Sequence, residues 1–98
     1  MIINKESAGK KLEIKLDGRL DTNTAPKLEE ELGNSIENVE KLIFDLENLM
    51  YISSAGLRVI LSAQKIMDKQ GEMILINVND LIMEIFDATG FINILTIK

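Results

Sequence analysis

The 98-residue chain contains no cysteine and no histidine. Without cysteine there is no disulfide, no thiolate metal site and no thiol nucleophile. Without histidine, the commonest general base and metal ligand is missing, along with the usual activator of a nucleophilic serine and any phosphohistidine relay. Carboxylates alone remain as metal ligands, and they favour hard ions. Neither a metal nor a cofactor is therefore expected. Aromatic residues make up only 4%, too few for a base-stacking platform. Eleven basic residues face sixteen acidic ones, and the net charge of −5 repels nucleic acid and anionic lipid surfaces. No apolar run reaches the ~18 residues that cross a bilayer. Charges at Lys5 and Glu6 come too early for a signal peptide. A cytoplasmic protein with no membrane insertion and no nucleic-acid partner is the expectation.

What is present is globular: 46% hydrophobic, 28% charged and a single proline. Ninety-eight residues make one domain, 1–98, able to bury roughly two-thirds of its unfolded surface. Leu12, Ile14 and Leu16 alternate with charged residues, so a half-buried strand is predicted over about 11–16. Ser7-Ala8-Gly9-Lys10 reads as the hairpin turn before it. The stretch Asp17 to Thr24 is dense in turn formers and helix caps. A helix follows, with Pro26 in its first turn and Ala25, Leu28, Leu32 and Ile36 on one face.

Leu42 to Leu46 reads as a central strand covered on both faces, followed by a short link from Leu49 to Ile52. A long helix then runs to about Gln70 and stops at Gly71. Its wheel has a wide apolar arc that includes Ile66, with Arg58, Ser62, Lys65 and Lys69 opposite, and Ser54 shares that wet side. Met73 to Ile76 is another strand. Asn79 caps a short helix ending at Gly90, and Phe91 to Ile97 reads as a last strand. The order β-β-α-β-α-β-α-β gives a mostly parallel sheet whose first strand is antiparallel.

In open α/β sheets, sites gather beyond the carboxyl ends of the strands. Three loops meet that description: 17–24, 47–56 and 77–80. The second sets two hydroxyls and a glycine at the start of the longest helix. Ser53-Ser54-Ala55-Gly56 can be plain helix capping, worth about 1 kcal/mol. It can be an anion site at the helix N-terminus, or a serine that accepts a phosphoryl group. A nucleophile elbow lacks its flanking glycine and its histidine, and the Gly-x-x-x-x-Gly-Lys of a phosphate-binding loop is absent. Gly56, a poor helix former, implies close approach of a neighbouring loop or a partner backbone. Asp17, Asp21 and Asp45 are the carboxylates expected near the site, each also explained as turn, cap or strand end.

Asp45-Leu46 followed by Tyr51-Ile52-Ser53-Ser54-Ala55-Gly56-Leu57-Arg58-Val59 resembles the signature of the STAS domain family, in its anti-sigma factor antagonist (anti-anti-sigma factor) branch. Leu16-Asp17-Gly18-Arg19-Leu20-Asp21 is similar to the family's Leu-x-Gly-x-Leu/Ile-Asp turn. Gly71-Glu72-Met73 resembles the start of its penultimate strand, and Leu81 to Phe91 its last helix and the strand entry after it.

The resemblance implies an α/β fold: one STAS-like domain with a four- to five-stranded mixed sheet and three or four helices. It implies a bacterial transcription regulator that binds an anti-sigma factor with serine kinase activity and so releases a sigma factor. Phosphorylation by that kinase switches it off, and a metal-dependent serine phosphatase restores it. Alignment on Gly56-Leu57 puts the acceptor at Ser54. Ser53 stands where the family commonly has aspartate, and Ala55 at its second hydroxyl position. Asp21, Thr22, Ser53, Ser54, Gly56 and Arg58 are the expected partner-binding residues. The alternative within the family is a non-switching subunit of a transporter or stress-signalling complex. Enzymatic activity is not expected.

Overall fold

The first two strands, β1 (Ile2–Ala8) and β2 (Lys11–Leu20), form an antiparallel hairpin turning at Gly9. The computed structural model describes all 98 residues. The chain continues through α1 (Ala25–Ser35), β3 (Lys41–Ile52), α2 (Ser54–Gln70), β4 (Glu72–Ile76) and α3 (Asp80–Thr89). The sheet order is β1-β2-β3-β4, with β2, β3 and β4 parallel. This is a small α/β domain with a four-stranded mixed sheet and three α-helices.

All three helices lie on one face of the sheet. Leu12, Ile14 and Leu16 of β2 and Leu42, Phe44 and Leu46 of β3 alternate into a single core. Leu28 of α1, Ile60 and Met67 of α2, and Ile82 and Phe86 of α3 fill the same core. The opposite face carries Lys11, Glu13, Lys15, Lys41 and Asp45, which are exposed or half-buried. The expectation that β3 is covered on both faces is therefore corrected. Its apolar run looks continuous because Ile43 sits beside Ile74 on the outer face, buried but outside the main core.

Two strand boundaries and one helix position differ from the sequence reading. Both β2 and β3 run on past their predicted ends, to Leu20 and Ile52. Their pairing steps from Lys15↔Asp45 to Asp17↔Asn48, and again from Gly18↔Leu49 to Arg19↔Tyr51. Each step leaves one extra residue on β3. These bulges break the two-residue period, so the second half of β3 reads as a link. Ile66 lies on the exposed side of α2, outside the apolar arc.

The predicted last strand is also corrected. Gly90 caps α3 in the left-handed conformation at φ 80°, where a side chain would be strained. The chain then turns through a short 3-10 helix, Phe91–Asn93. Only Ile97 reaches the sheet, as one parallel bridge to Leu75, with Leu75 N–H donating to Thr96 O and Lys98 N–H to Leu75 O at 2.9 Å each. Leu95 is buried against the core and ties this tail down.

Candidate functional site

The longer β2 and β3 bring the ends of two predicted loops together. Leu20 pairs with Ile52, and Ser53 N–H donates to Leu20 O at 2.9 Å. The helix α2 starts at that point. Ser53 is its N-cap, extended at φ −91° and ψ 175°, and its Oγ accepts from Gly56 N–H at 3.3 Å. Its carbonyl accepts from Leu57 N–H at 2.9 Å. All of Ser53's backbone polar groups and its hydroxyl oxygen are engaged. Serine here holds the cap as the aspartate implied by the resemblance would, since both residue types are strong N-caps.

Ser54 is the first residue of α2 and is exposed. Its hydroxyl makes no hydrogen bond within the protein, and its N–H and that of Ala55 have no helical acceptor. Arg58, one turn on, is exposed and forms no ion pair. It lines a shallow groove with Thr22, Pro26, Glu29, Ala55 and Ser62, between the first turns of α1 and α2. Thr22 is exposed on the near rim.

Gly56 is buried below these residues. A Cβ there would stand 2.7 Å from Leu20 Cγ, 2.9 Å from Leu20 O and 3.0 Å from Ile52 Cγ1. The close approach implied by the sequence is to the chain's own β2. Gly56 seats α2 on the strand ends.

Asp21 closes the turn into α1. Its Oδ1 accepts from Asn23 N–H at 3.0 Å, Thr24 N–H at 3.1 Å and Thr24 Oγ at 3.2 Å. Arg19 Nε lies 3.8 Å from Oδ2. Partial desolvation works against the charge. The donors of Asn23 and Thr24 and the Arg19 guanidinium outweigh it, holding the carboxyl below the ordinary aspartate range. Asp21 fixes the turn with one oxygen and leaves the other on the surface.

Sequence reasoning missed Arg19 and Tyr51. The guanidinium carbon lies 4.5 Å from the ring centroid, a cation–π contact on the outer face of the strand ends. The pairing depends on both bulges, so no local pattern signals it.

The third loop does not join the site. The β3–β4 pairing ends at Asp45↔Ile76, well short of Ile52. Asp45 Oδ1 accepts from Glu47 N–H and Asn77 Nδ2 at 3.1 Å each, a strand-end role. Asp17 faces Asn48, also back from Ser54. No three carboxylates stand close enough to hold a metal ion. No helix is long and apolar enough to cross a membrane.

The fold is shared with known proteins. The STAS domain model matches residues 3–98, and the chain belongs to that family. It is 38% identical over 81 residues to BtrV of Bordetella bronchiseptica, covering 81% of this chain and 70% of that one. It is 33% identical over 91 residues to the anti-sigma-B factor antagonist of Listeria monocytogenes, covering 89% and 78%. The fold matches the Bacillus anti-sigma factor antagonist SpoIIAA in its unphosphorylated form, with a TM-score of 0.78 at 19% identity over 99% of this chain and 87% of that one. It matches the phosphorylated form of SpoIIAA with a TM-score of 0.77 at 20% identity, over 99% and 91%. These relatives bear the name anti-sigma factor antagonist, and this chain shares their family.

Proposed function

We propose that the chain is an anti-sigma factor antagonist that binds an anti-sigma factor with serine kinase activity, with Ser54 as the phosphoacceptor that switches binding off. The observation that carries this reading is the contrast between two adjacent serines. Ser53 is committed to the helix cap, whereas Ser54 presents a free, exposed hydroxyl.

The chain has no histidine to activate that hydroxyl, so the base belongs to the kinase. Ser54 Oγ attacks the γ-phosphorus of ATP, ADP leaves and the hydroxyl proton passes to the kinase. The product adds about −1.5 to −2 charges. Within the domain the helix dipole, the free N–H groups and Arg58 accommodate it. The matching TM-scores to both forms of SpoIIAA support a switch that leaves the fold intact. In a complex the same group must be desolvated against the partner. A thousandfold loss of affinity needs only about 4 kcal/mol. Thr22, Arg58 and the Arg19-paired outer oxygen of Asp21 flank Ser54 as the binding face, and a serine phosphatase resets it.

The test is incubation with the kinase-type anti-sigma factor of the same organism and ATP, followed by mass spectrometry of the phosphopeptide. One phosphate on Ser54, absent in Ser54→Ala, is the expected result. Phosphate on Ser53, or binding that is indifferent to phosphorylation, would favour the non-switching subunit.

A further inference from the structure

β3 outruns its neighbour β4, and this leaves a cleft. Beyond Asp45 the far edge of β3 has no strand partner. Only the side chain of Asn79 reaches across, its Nδ2 donating to Leu49 O at 2.8 Å. The gap between β3 and the start of α3 is a cleft of about 720 Å³. Met50, at 65% the most exposed large apolar residue of the chain, lines it, and so does Leu81 at 49%. Asp17, Glu47 and Asp80 line it too, none of them in an ion pair, and no cation lines it.

A single exposed methionine is ordinary on a protein surface. Two apolar side chains in one cleft, ringed by three unneutralised carboxylates, have the make-up of an interface hot spot: an apolar centre within a polar rim. The charge of the rim selects the occupant. An apolar side chain flanked by lysine or arginine fills the centre and neutralises the edge.

The cleft is also close to Ser54. Four residue steps separate Met50 from Ser54, at most about 13 Å when extended. A standard interface covers roughly 800 Å² per partner, a patch about 30 Å across. One bound protein centred near Ser54 reaches the cleft.

We infer that the Met50–Leu81 cleft is a second anchor for the anti-sigma partner, taking an apolar side chain presented between basic residues. This rests on the function proposed above. It is independent of phosphorylation and sets affinity rather than the switch.

The experiment titrates the kinase-type anti-sigma factor into the wild-type chain and into Met50→Ser/Leu81→Ser by calorimetry, with a melting curve for each. The double variant binds at least tenfold more weakly and melts within a few degrees of wild type, because both side chains are exposed. Glu47→Gln/Asp80→Asn slows association and flattens its salt dependence. On the wild-type chain, hydroxyl-radical oxidation of Met50 slows when the partner is added. Wild-type binding with unchanged affinity in the double variant, or with Met50 oxidised as fast in the complex, overturns the second anchor and leaves the function standing. Absence of wild-type binding overturns the proposed function and this inference with it.

Discussion

Replacing Gly56 by alanine tests how the helix that carries Ser54 is seated. Helix propensity alone makes alanine the better residue by about 1 kcal/mol. Packing opposes it. The new methyl would meet Leu20 Cγ at 2.7 Å, Leu20 O at 2.9 Å and Ile52 Cγ1 at 3.0 Å, where carbon contacts are normally about 3.5–4.0 Å. The Leu20 side chain can turn away. Its carbonyl cannot, because it accepts the Ser53 N–H that joins β2 to the start of α2. Overpacking of this kind costs about 1–3 kcal/mol. The net expectation is a loss of about 0–2 kcal/mol, or up to about 16 °C in melting temperature for a domain of this size. Gly33 supplies the opposite sign. It is exposed in α1, with nothing within 4 Å of a built Cβ, so Gly33→Ala should gain about 0.4–1 kcal/mol. Thermal melts and urea titrations of both variants, with the slope checked for constancy, read the two effects. A Gly56→Ala protein that melts several degrees above wild type, as helix propensity alone would give, would refute the packing argument.

Ser53→Ala removes the α2 cap and should lower stability by about 0.5–2 kcal/mol, while Ser54→Ala should change it by less than about 0.5 kcal/mol, measured by urea midpoints. Equal losses would mean that the cap is shared and Ser54 is not free. Ser54→Asp should fold as well as Ser54→Ala, since a carboxylate suits a helix N-terminus, yet bind the anti-sigma partner far more weakly by calorimetry. Equal affinities for these two variants would remove the switch. Asp21 has its pKa lowered in the fold, so its stabilising effect is present above the unfolded value of about 3.8 and is lost as pH falls through the lower folded value. Asp21→Asn should therefore be less stable than wild type at neutral pH, with the gap closing as pH falls below about 4. A gap constant with pH would show that charge has no part in the turn.

The legible parts of the fold were those with an unbroken period. The alternation of Leu12, Ile14 and Leu16 and the spacing of Ala25, Leu28 and Leu32 each show in a window of a few residues, and the core uses them as read. The ends of β2 and β3 were not legible, because two bulges insert residues that no local pattern marks and the pairing that holds them is 30 residues away. The outer face misled for a different reason. Ile43 and Ile74 are apolar neighbours across two strands, and one strand's sequence cannot tell such a pair from a core layer. The tail failed because apolar content predicts burial but not the partner. Leu95 is buried as a core residue, while Gly90 sends the chain away from a full strand.

For the site, residue type identified the place and geometry assigned the roles. Two serines and a glycine before an apolar helix left a cap, an anion site and a phosphoacceptor open together. The structure separates them by hydrogen bonding: one serine caps, the next is free, and the glycine lets β2 approach. That division also bears on Ser53, which stands where the resemblance to the family signature implies aspartate. Aspartate in that position caps the helix and adds a charge beside the acceptor; serine caps it and adds none. Phosphorylation of Ser54 then introduces its charge into a site with Arg58 one turn away and no carboxylate at position 53. The phosphate adds the same charge whether residue 53 is serine or aspartate; an aspartate would only shift both states by one further negative charge. A switch that works through charge therefore keeps its contrast with serine at 53. Ser53→Asp should keep the fold, shift the partner affinity of both forms by a similar factor and leave the affinity ratio between the two states about unchanged, read by calorimetry on each form. A ratio that changed in Ser53→Asp would show that the aspartate acts in partner recognition and not as background charge.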